Sequence, residues 1–323
     1  MTDHLNHPDT SDRHLPIGLP FGSRALPPRP PATSTSGNSG GTNTSLPSVT
    51  KTTPRRVAGP IGARQLEAVS EGLSDRDRAV LVCIAEHRYL TTNQLTGFCF
   101  QGHGSDDAAA TTARRVFRRL ERLGLIRRLA RRVGGVRAGS GATVWQLAPA
   151  GARIVRESAE GYRTHEPSPR FLGHCLAVAD ADLQLRALVT AGGVHSVGVQ
   201  VEPLSWRSYL GGGGEQRWLQ PDLYAEVASD DYEDRWFIEV DQGTESLTTL
   251  LKKCRQYQDY RVSGVEQQRH GIFPKVLWIM GGSRGNERAE RLRSAILRTH
   301  DLTPELYEIR VPDDVPEVLG GGV

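Results

Sequence analysis

Three carboxylates in the second half of the sequence have the types and spacing needed for metal-assisted phosphodiester chemistry. Asp222 directly follows a proline, and Glu239 and Asp241 stand two residues apart in the segment WFIEVD. Residues two apart in an extended strand point to the same face, so Glu239 and Asp241 share a face. If the strand that starts near Asp222 pairs antiparallel with this one, all three carboxylates meet at one end of a sheet.

Carboxylates held this close repel one another unless a cation, a proton or a basic side chain compensates their charge. Mg²⁺ takes one or two carboxylates together with water and phosphate oxygens, and it assists attack on phosphodiesters. We therefore predict that Asp222 and Glu239 bind Mg²⁺ and that Asp241 supports them in a catalytic group. A purely structural carboxylate cluster is the alternative. His174 is interpreted as a polar residue on a helix face.

The elements that must position these carboxylates follow one another from about residue 170. The spacing of apolar residues predicts helices at 171–190, 247–260 and 286–299, and strands at 194–201, 218–227, 235–241 and 276–280. This order predicts a mixed sheet flanked by helices, an α/β arrangement within an α+β chain.

The preceding segment predicts three helices and two strands. Ser74, three residues before Asp77, resembles a capping box at the start of the first helix, and Thr91 or Thr92 caps a short second one. A third helix is predicted at 108–123, and strands at 125–129 and 143–147 flank a loop rich in arginine and glycine. This is the element order of a winged helix-turn-helix domain.

The predicted third helix has an apolar stripe and a basic face. Val116, Phe117, Leu120 and Leu123 form the stripe, which leaves four arginines opposite to it: Arg114, Arg115, Arg118 and Arg122. Arg131 and Arg132 lie in the loop that follows. A basic helix of this kind fits the major groove, and an arginine-bearing wing reaches the adjacent backbone. We predict that these six arginines bind double-stranded DNA; a solvated basic helix is the alternative.

Charge divides the 323 residues into three parts, although the net charge is only +3. Residues 73–158 carry 15 basic and 7 acidic side chains, whereas residues 159–323 carry 18 and 25. Residues 1–72 hold 10 of the 19 prolines and few apolar residues. We expect a disordered tail at 1–72 with at most a short helix near its end, a DNA-binding domain at 73–158 and the α/β domain at 159–323.

No stretch of the sequence reaches the roughly 20 apolar residues that a membrane helix requires, and the amino terminus has no apolar signal-peptide core. The four cysteines are far apart in sequence and form no CxxC pair, which argues against a disulfide framework or a thiolate zinc site. These features predict a cytoplasmic protein without membrane contacts.

The motifs together resemble a known family. PDLYAEV, WFIEVDQGTES and LLKKCRQYQDY, placed after a winged helix, are similar to the replication-relaxation family, and the pattern of a PD pair followed by an acidic pair resembles the PD-(D/E)xK nuclease core. The resemblance covers roughly residues 73–300. It implies a role in plasmid or mobile-element replication and DNA relaxation, with double-stranded DNA and other replication or conjugation proteins as partners.

The sequence departs from the nuclease pattern at one position. Asp241 stands where working nucleases place a lysine that assists the attacking water and stabilises developing negative charge. Lys252 or Lys253 is a candidate to replace that lysine, and Lys253 shares a helix face with Tyr257 four residues later. Two functions therefore remain open. One is a Mg²⁺-dependent endonuclease or nickase using Asp222, Glu239, Asp241 and Lys253. The other is a non-catalytic winged-helix regulator of transcription or copy number, whose second domain is a metal-binding or DNA-binding relic of the nuclease fold or serves protein contacts.

Overall fold

The computed structural model describes residues 62–102, 104–130, 142–156, 162–192, 194–230 and 232–319. In these ranges the chain is a mixed α+β protein. The first half contains α1 (Ala63–Glu71), α2 (Asp75–His87), β1 (Leu90–Thr91), α3 (Thr92–Cys99), α4 (Asp106–Arg122), β2 (Ile126–Arg128), β3 (Val144–Leu147) and α5 (Pro149–Val155). Its three strands form an antiparallel sheet in the order β1-β3-β2.

Side-chain caps start the first two predicted helices where the sequence placed them. The Ser74 hydroxyl accepts the Asp77 N–H, and the Asp77 carboxylate accepts the Ser74 N–H, so the capping box is complete. Thr91 and Gln94 form a second capping box on α3. These contacts satisfy amide groups that have no partner inside the helix.

Folded structure begins before Leu73, the expected boundary. Leu66 and Val69 of α1 pack against the core of the first half, so α1 is part of that unit. β1 and α5 were not predicted, because each is too short to show a periodic apolar pattern. The arginine- and glycine-rich loop, with Arg131 and Arg132, lies outside the described residues.

The second half contains α6 (Pro169–Ala191), β4 (Ser196–Val201), β5 (Arg207–Leu210), β6 (Gln216–Leu219), β7 (Leu223–Ala228), β8 (Glu233–Asp241), α7 (Leu247–Val262), α8 (Val265–His270), β9 (Lys275–Met280), α9 (Gly285–Leu297), β10 (Tyr307–Arg310) and α10 (Val315–Leu319). Five strands form a mixed sheet in the order β10-β9-β8-β7-β4. β4, β7 and β8 are antiparallel, and β8, β9 and β10 are parallel.

The single strand predicted at 218–227 is wrong. β6 ends at Leu219 and pairs with β5 in a separate hairpin, while β7 starts at Leu223 in the main sheet. Pro221 stands between the two strands, and proline cannot donate a ladder hydrogen bond. The break is important because it places Asp222 at the entrance of β7.

Two apolar layers cover the main sheet. Phe237 packs with Tyr257 and other residues of α7 and α9 on one face, whereas Trp236, Ile238 and Val240 pack towards α6 on the other. This alternation along β8 is the predicted period of two.

Helix α6 belongs to both halves of the chain. Its Val178 and Leu185 lie in the core under the sheet, and its Ala179 lies in the core of the first half. Gln94 of α3 donates to Leu176 O over 2.8 Å and to Asp180 Oδ1 over 2.6 Å. None of the helices in the described ranges is both long and apolar enough to span a membrane.

Candidate functional site

The register of β7 and β8 brings two of the three predicted acidic residues, Asp222 and Glu239, to the same level of the sheet. Leu223 lies opposite Ile238, so Asp222, one residue earlier, reaches the level of Glu239. Asp222 is 7% exposed, and its Oδ2 accepts the backbone N–H of Val240 over 2.7 Å. The antiparallel pairing expected from the sequence is therefore present.

Two side chains of α7 hold Glu239. Lys253 Nζ donates to Glu239 Oε2 over 3.0 Å, and the Tyr257 hydroxyl donates to Oε1 over 2.7 Å. Residues four apart on a helix lie one above the other, which lets both reach the same carboxylate. Lys253 Nζ also lies 3.5 Å from Glu245 Oε1. Lys253, and not Lys252, is the lysine that occupies the cluster.

Burial controls the proton equilibria of this pair. Burial raises the pKa of Glu239 to about 7, with Lys253 opposing the rise and Asp222 adding to it. Burial alone lowers the pKa of Lys253, but the attraction of Glu239 and Asp222 outweighs burial, and the net pKa is raised. The lysine therefore stays charged, while the glutamate is harder to ionise than usual.

His174 of α6 is a member of the cluster that sequence reasoning assigned to an ordinary polar helix face. Its Nε2 lies 3.0 Å from Asp222 Oδ1, and 30% of its side chain is exposed. The hydrogen bond to Asp222 raises the pKa of His174 against the effect of burial. The two residues are 48 positions apart, so no local pattern signals the contact.

Asp241 and Glu202 face other partners. Arg288 of α9 donates from Nε to Asp241 Oδ2 over 2.8 Å, and Asp241 Oδ1 is buried without a hydrogen-bond partner among the described residues. Glu202 accepts from Arg88 Nη1 over 2.8 Å. None of the Asp241 contacts found in the described ranges involves Asp222, Glu239 or Lys253, so its predicted supporting role has no direct contact behind it.

The donor chemistry of Asp222 and Glu239 fits Mg²⁺ only as a two-carboxylate site. Within the described residues, no three His, Cys, Asp or Glu side chains converge as metal ligands. Each oxygen of the two carboxylates already accepts one hydrogen bond, and an ionised carboxylate has about four acceptor positions in total. One position per oxygen therefore remains for a cation whose other ligands are water or phosphate.

The arginines of α4 form the second candidate site, defined here as the arginine face: Arg114, Arg115, Arg118 and Arg122. All four are exposed. The buried side of α4 consists of Ala109, Ala113, Phe117 and Leu120. Val116 and Leu123, the other two residues of the predicted stripe, are half-buried and pack against the same core.

Arg119 differs from its neighbours on α4. Its guanidinium contacts the carboxylate of Asp77, a buried residue that also caps α2. This arginine therefore joins α4 to α2, whereas the arginine face points away from the core.

The model of one family, replication-relaxation, matches residues 81–276, which is more than half of the chain. The chain belongs to the replication-relaxation family. The matched region includes α4, α6, Asp222, Glu239 and Lys253 of this replication-relaxation protein. No curated protein matches the chain. Among solved structures, the restriction endonuclease FokI aligns at 9% identity and a TM-score of 0.24, covering 82% of this chain and 74% of the FokI chain.

Proposed function

We propose that this replication-relaxation protein binds double-stranded DNA of plasmids or mobile elements through the arginine face of a winged helix. The exposure of all four arginines on one helix carries the proposal. Guanidinium groups suit phosphate oxygens and guanine edges in the major groove. The order of α2, α3, α4 and the β1-β3-β2 sheet supports a winged-helix assignment. Arg131 and Arg132 stay predicted DNA contacts on the sequence alone.

Fluorescence anisotropy with labelled duplex DNA over a salt series tests this proposal. Changing Arg114, Arg115 and Arg118 to alanine should weaken binding and lower the salt slope by up to about 2.7, or about 0.9 for each lost phosphate contact. A matched triple variant at exposed arginines outside α4 (Arg64, Arg291 and Arg298) should bind as the wild type does. Equal binding by the α4 variant and the wild type would overturn the proposal.

A second candidate function, Mg²⁺-dependent nicking of DNA, is favoured by the Lys253–Glu239 contact. The nuclease pattern places a lysine on the strand at the position where this chain has Asp241. Lys253 of α7 brings an ammonium group to the cluster from a helix instead. Asp222 and Glu239 would hold Mg²⁺, which when bound polarises a phosphodiester oxygen and lowers the pKa of water. Lys253 places positive charge where negative charge develops on phosphate, and Tyr257 fixes the Glu239 carboxylate.

Supercoiled plasmid incubated with the purified protein and either Mg²⁺ or EDTA separates the enzyme from a non-catalytic regulator. In the enzyme, Glu239→Ala and Lys253→Ala abolish nicking while duplex affinity is retained, because both residues lie away from α4. A wild-type protein that binds DNA but never nicks it would leave the regulator, with the second half of the chain used for protein contacts.

A further inference from the structure

The hairpin of β5 and β6 leaves the main sheet at the candidate site. The chain enters it after Glu202, at the end of β4, and returns at Pro221, directly before Asp222. The Glu202 N–H donates to Asp222 O over 3.2 Å and closes the base of the hairpin. The hairpin is thus attached to the same sheet end that carries the carboxylate cluster.

A cavity of about 340 Å³ separates this hairpin from α7. Arg217 and Trp218 line it from the hairpin, and Lys252, Arg255 and Asp259 line it from the helix. We name this cavity the hairpin groove. Arg217 spans it and donates to Asp259 Oδ2 over 3.1 Å, so the wall positions are fixed by an ion pair between the two elements.

The hairpin groove adjoins the carboxylate cluster along α7. Lys252 and Gln256 line the groove, and the next residue after each, Lys253 and Tyr257, binds Glu239. Successive helix residues point about 100° apart, so one flank of α7 faces the groove while the neighbouring flank holds the cluster. A chain-like ligand in the groove would therefore lie on the flank of α7 next to the one that holds Glu239.

The lining combines cations with an aromatic ring. Arg217 is paired with Glu215 and Asp259, and Arg255 is paired with Asp301, so these two arginines bring no net positive charge to the groove. Lys252 is exposed and makes no hydrogen bond or ion pair within the described ranges. Trp218 is only half-buried, which leaves part of its indole ring accessible from the groove. Cations beside an accessible aromatic face are the features with which proteins bind single nucleic-acid strands.

We propose that the hairpin groove binds an unpaired segment of a DNA strand, with a base against Trp218 and a phosphate at Lys252. The inference rests on the proposed function, since it assumes that DNA is the partner. An unpaired strand is favoured over duplex because a base can stack on Trp218 only after it has left its own helix. The groove thus gives the chain a DNA contact distinct from the arginine face.

Anisotropy with a labelled oligothymidine and with a labelled duplex tests the two DNA contacts separately. Lys252→Ala, at an exposed position, and Trp218→Ala should each weaken oligothymidine binding by about 5-fold to 100-fold, as expected for one lost stacked base or phosphate contact. Both variants should bind duplex as the wild type does. Trp218→Phe, which keeps a ring, should restore most of the lost affinity, and Arg298→Ala serves as a control for exposed charge.

The outcomes distinguish this proposal from the proposed function. The arginine-face triple variant should lose duplex binding but retain oligothymidine binding. If oligothymidine binding is absent from the wild type, or depends on the arginine face and not on Lys252 and Trp218, the groove proposal is overturned while duplex binding stands. If the wild type binds oligothymidine but does not bind duplex, the proposed function is overturned. Thermal unfolding of each variant shows whether the hairpin still folds. If Trp218→Ala disrupts the hairpin, the comparison of Lys252→Ala with the wild type decides the result.

Discussion

Glu239 shows how a single buried carboxylate depends on partners from a distant element. Both of its oxygens accept hydrogen bonds from α7, and only 2% of the residue is exposed. A buried carboxylate without a cation loses hydration that nothing replaces. Lys253 is therefore a structural partner of Glu239, whether or not the cluster acts on phosphodiesters.

A double-mutant cycle at residues 239 and 253 measures this dependence. Lys253→Met should lower the free energy of unfolding by about 1–3 kcal/mol, because it leaves Glu239 buried without its cation. The same change in a Glu239→Gln background should cost less, giving a coupling energy of about 0.5–3 kcal/mol. Urea unfolding of the four proteins provides the values. A coupling energy of zero would mean that Lys253 does not stabilise Glu239 in solution.

Helix α4 separates two roles of arginine by its helical period. Arg118 and Arg119 are both exposed, but the Arg119 guanidinium contacts the carboxylate of Asp77 of α2. Asp77 is fully buried and also caps α2, so its charge requires a partner. Adjacent arginines of the same helix therefore serve different purposes.

Alanine at each of these two positions should give opposite results. Arg119→Ala should lower the free energy of unfolding by about 1–3 kcal/mol, because the buried Asp77 loses a charged donor, and should affect duplex binding little. Arg118→Ala should change stability by less than about 0.5 kcal/mol and weaken duplex binding. Thermal unfolding and anisotropy on the same preparations compare them. A reversed pattern would place Arg119, and not Arg118, at the DNA.

At the scale of the whole molecule, α6 connects the first half of the chain with the carboxylate cluster. It carries His174 beside Asp222 near one end, and Asp182, hydrogen-bonded to His87 of α2, further along. Asp182 is fully buried and also accepts from Arg186 over 2.7 Å. This buried network and the shared apolar core make one stable unit out of two segments that the charge pattern separates.

Stability should depend on Asp182 in a pH-dependent way. Burial alone raises the pKa of Asp182, but hydrogen bonds from His87 and Arg186 outweigh it, and the net pKa is lowered. A carboxyl group whose pKa is lower in the folded than in the unfolded protein adds stability at pH values above its unfolded pKa of about 3.9. This stability is lost as the pH falls from there through the pKa of the folded state. Asp182→Asn should therefore lower the free energy of unfolding by about 3 kcal/mol at neutral pH.

The difference between Asp182→Asn and the wild type should shrink as the pH falls below about 4, since the unfolded wild-type carboxylate takes up a proton there while the folded one stays ionised down to its lower pKa. Urea unfolding from pH 3 to pH 7 measures it. Circular dichroism and tryptophan fluorescence should report the same midpoint if the halves unfold together. An Asp182→Asn protein with two separate transitions, or with a difference that grows at low pH, would contradict the shared role of α6.

Local signals in the sequence determined the helices, the paired strands and part of the site. Ser74 and Thr91 mark helix starts because capping is a contact over three residues, and the period of two along β8 assigns Glu239 to one face. The family resemblance carried by the same motifs is confirmed by the match over residues 81–276. The hairpin was missed because β5 and β6 are only four residues long each, which is too short to show a clear period of two.

Only the tertiary structure decided which side chains complete the cluster. Lys253 rather than Lys252 reaches Glu239, Arg288 takes Asp241, and His174 joins Asp222 from another helix. These contacts depend on how helices cross the sheet, and sequence periodicity specifies a face of a helix without its partner. The ion pairs between these helices and the sheet join residues that are far apart in the sequence, so no local pattern predicts them. Burial strengthens such pairs.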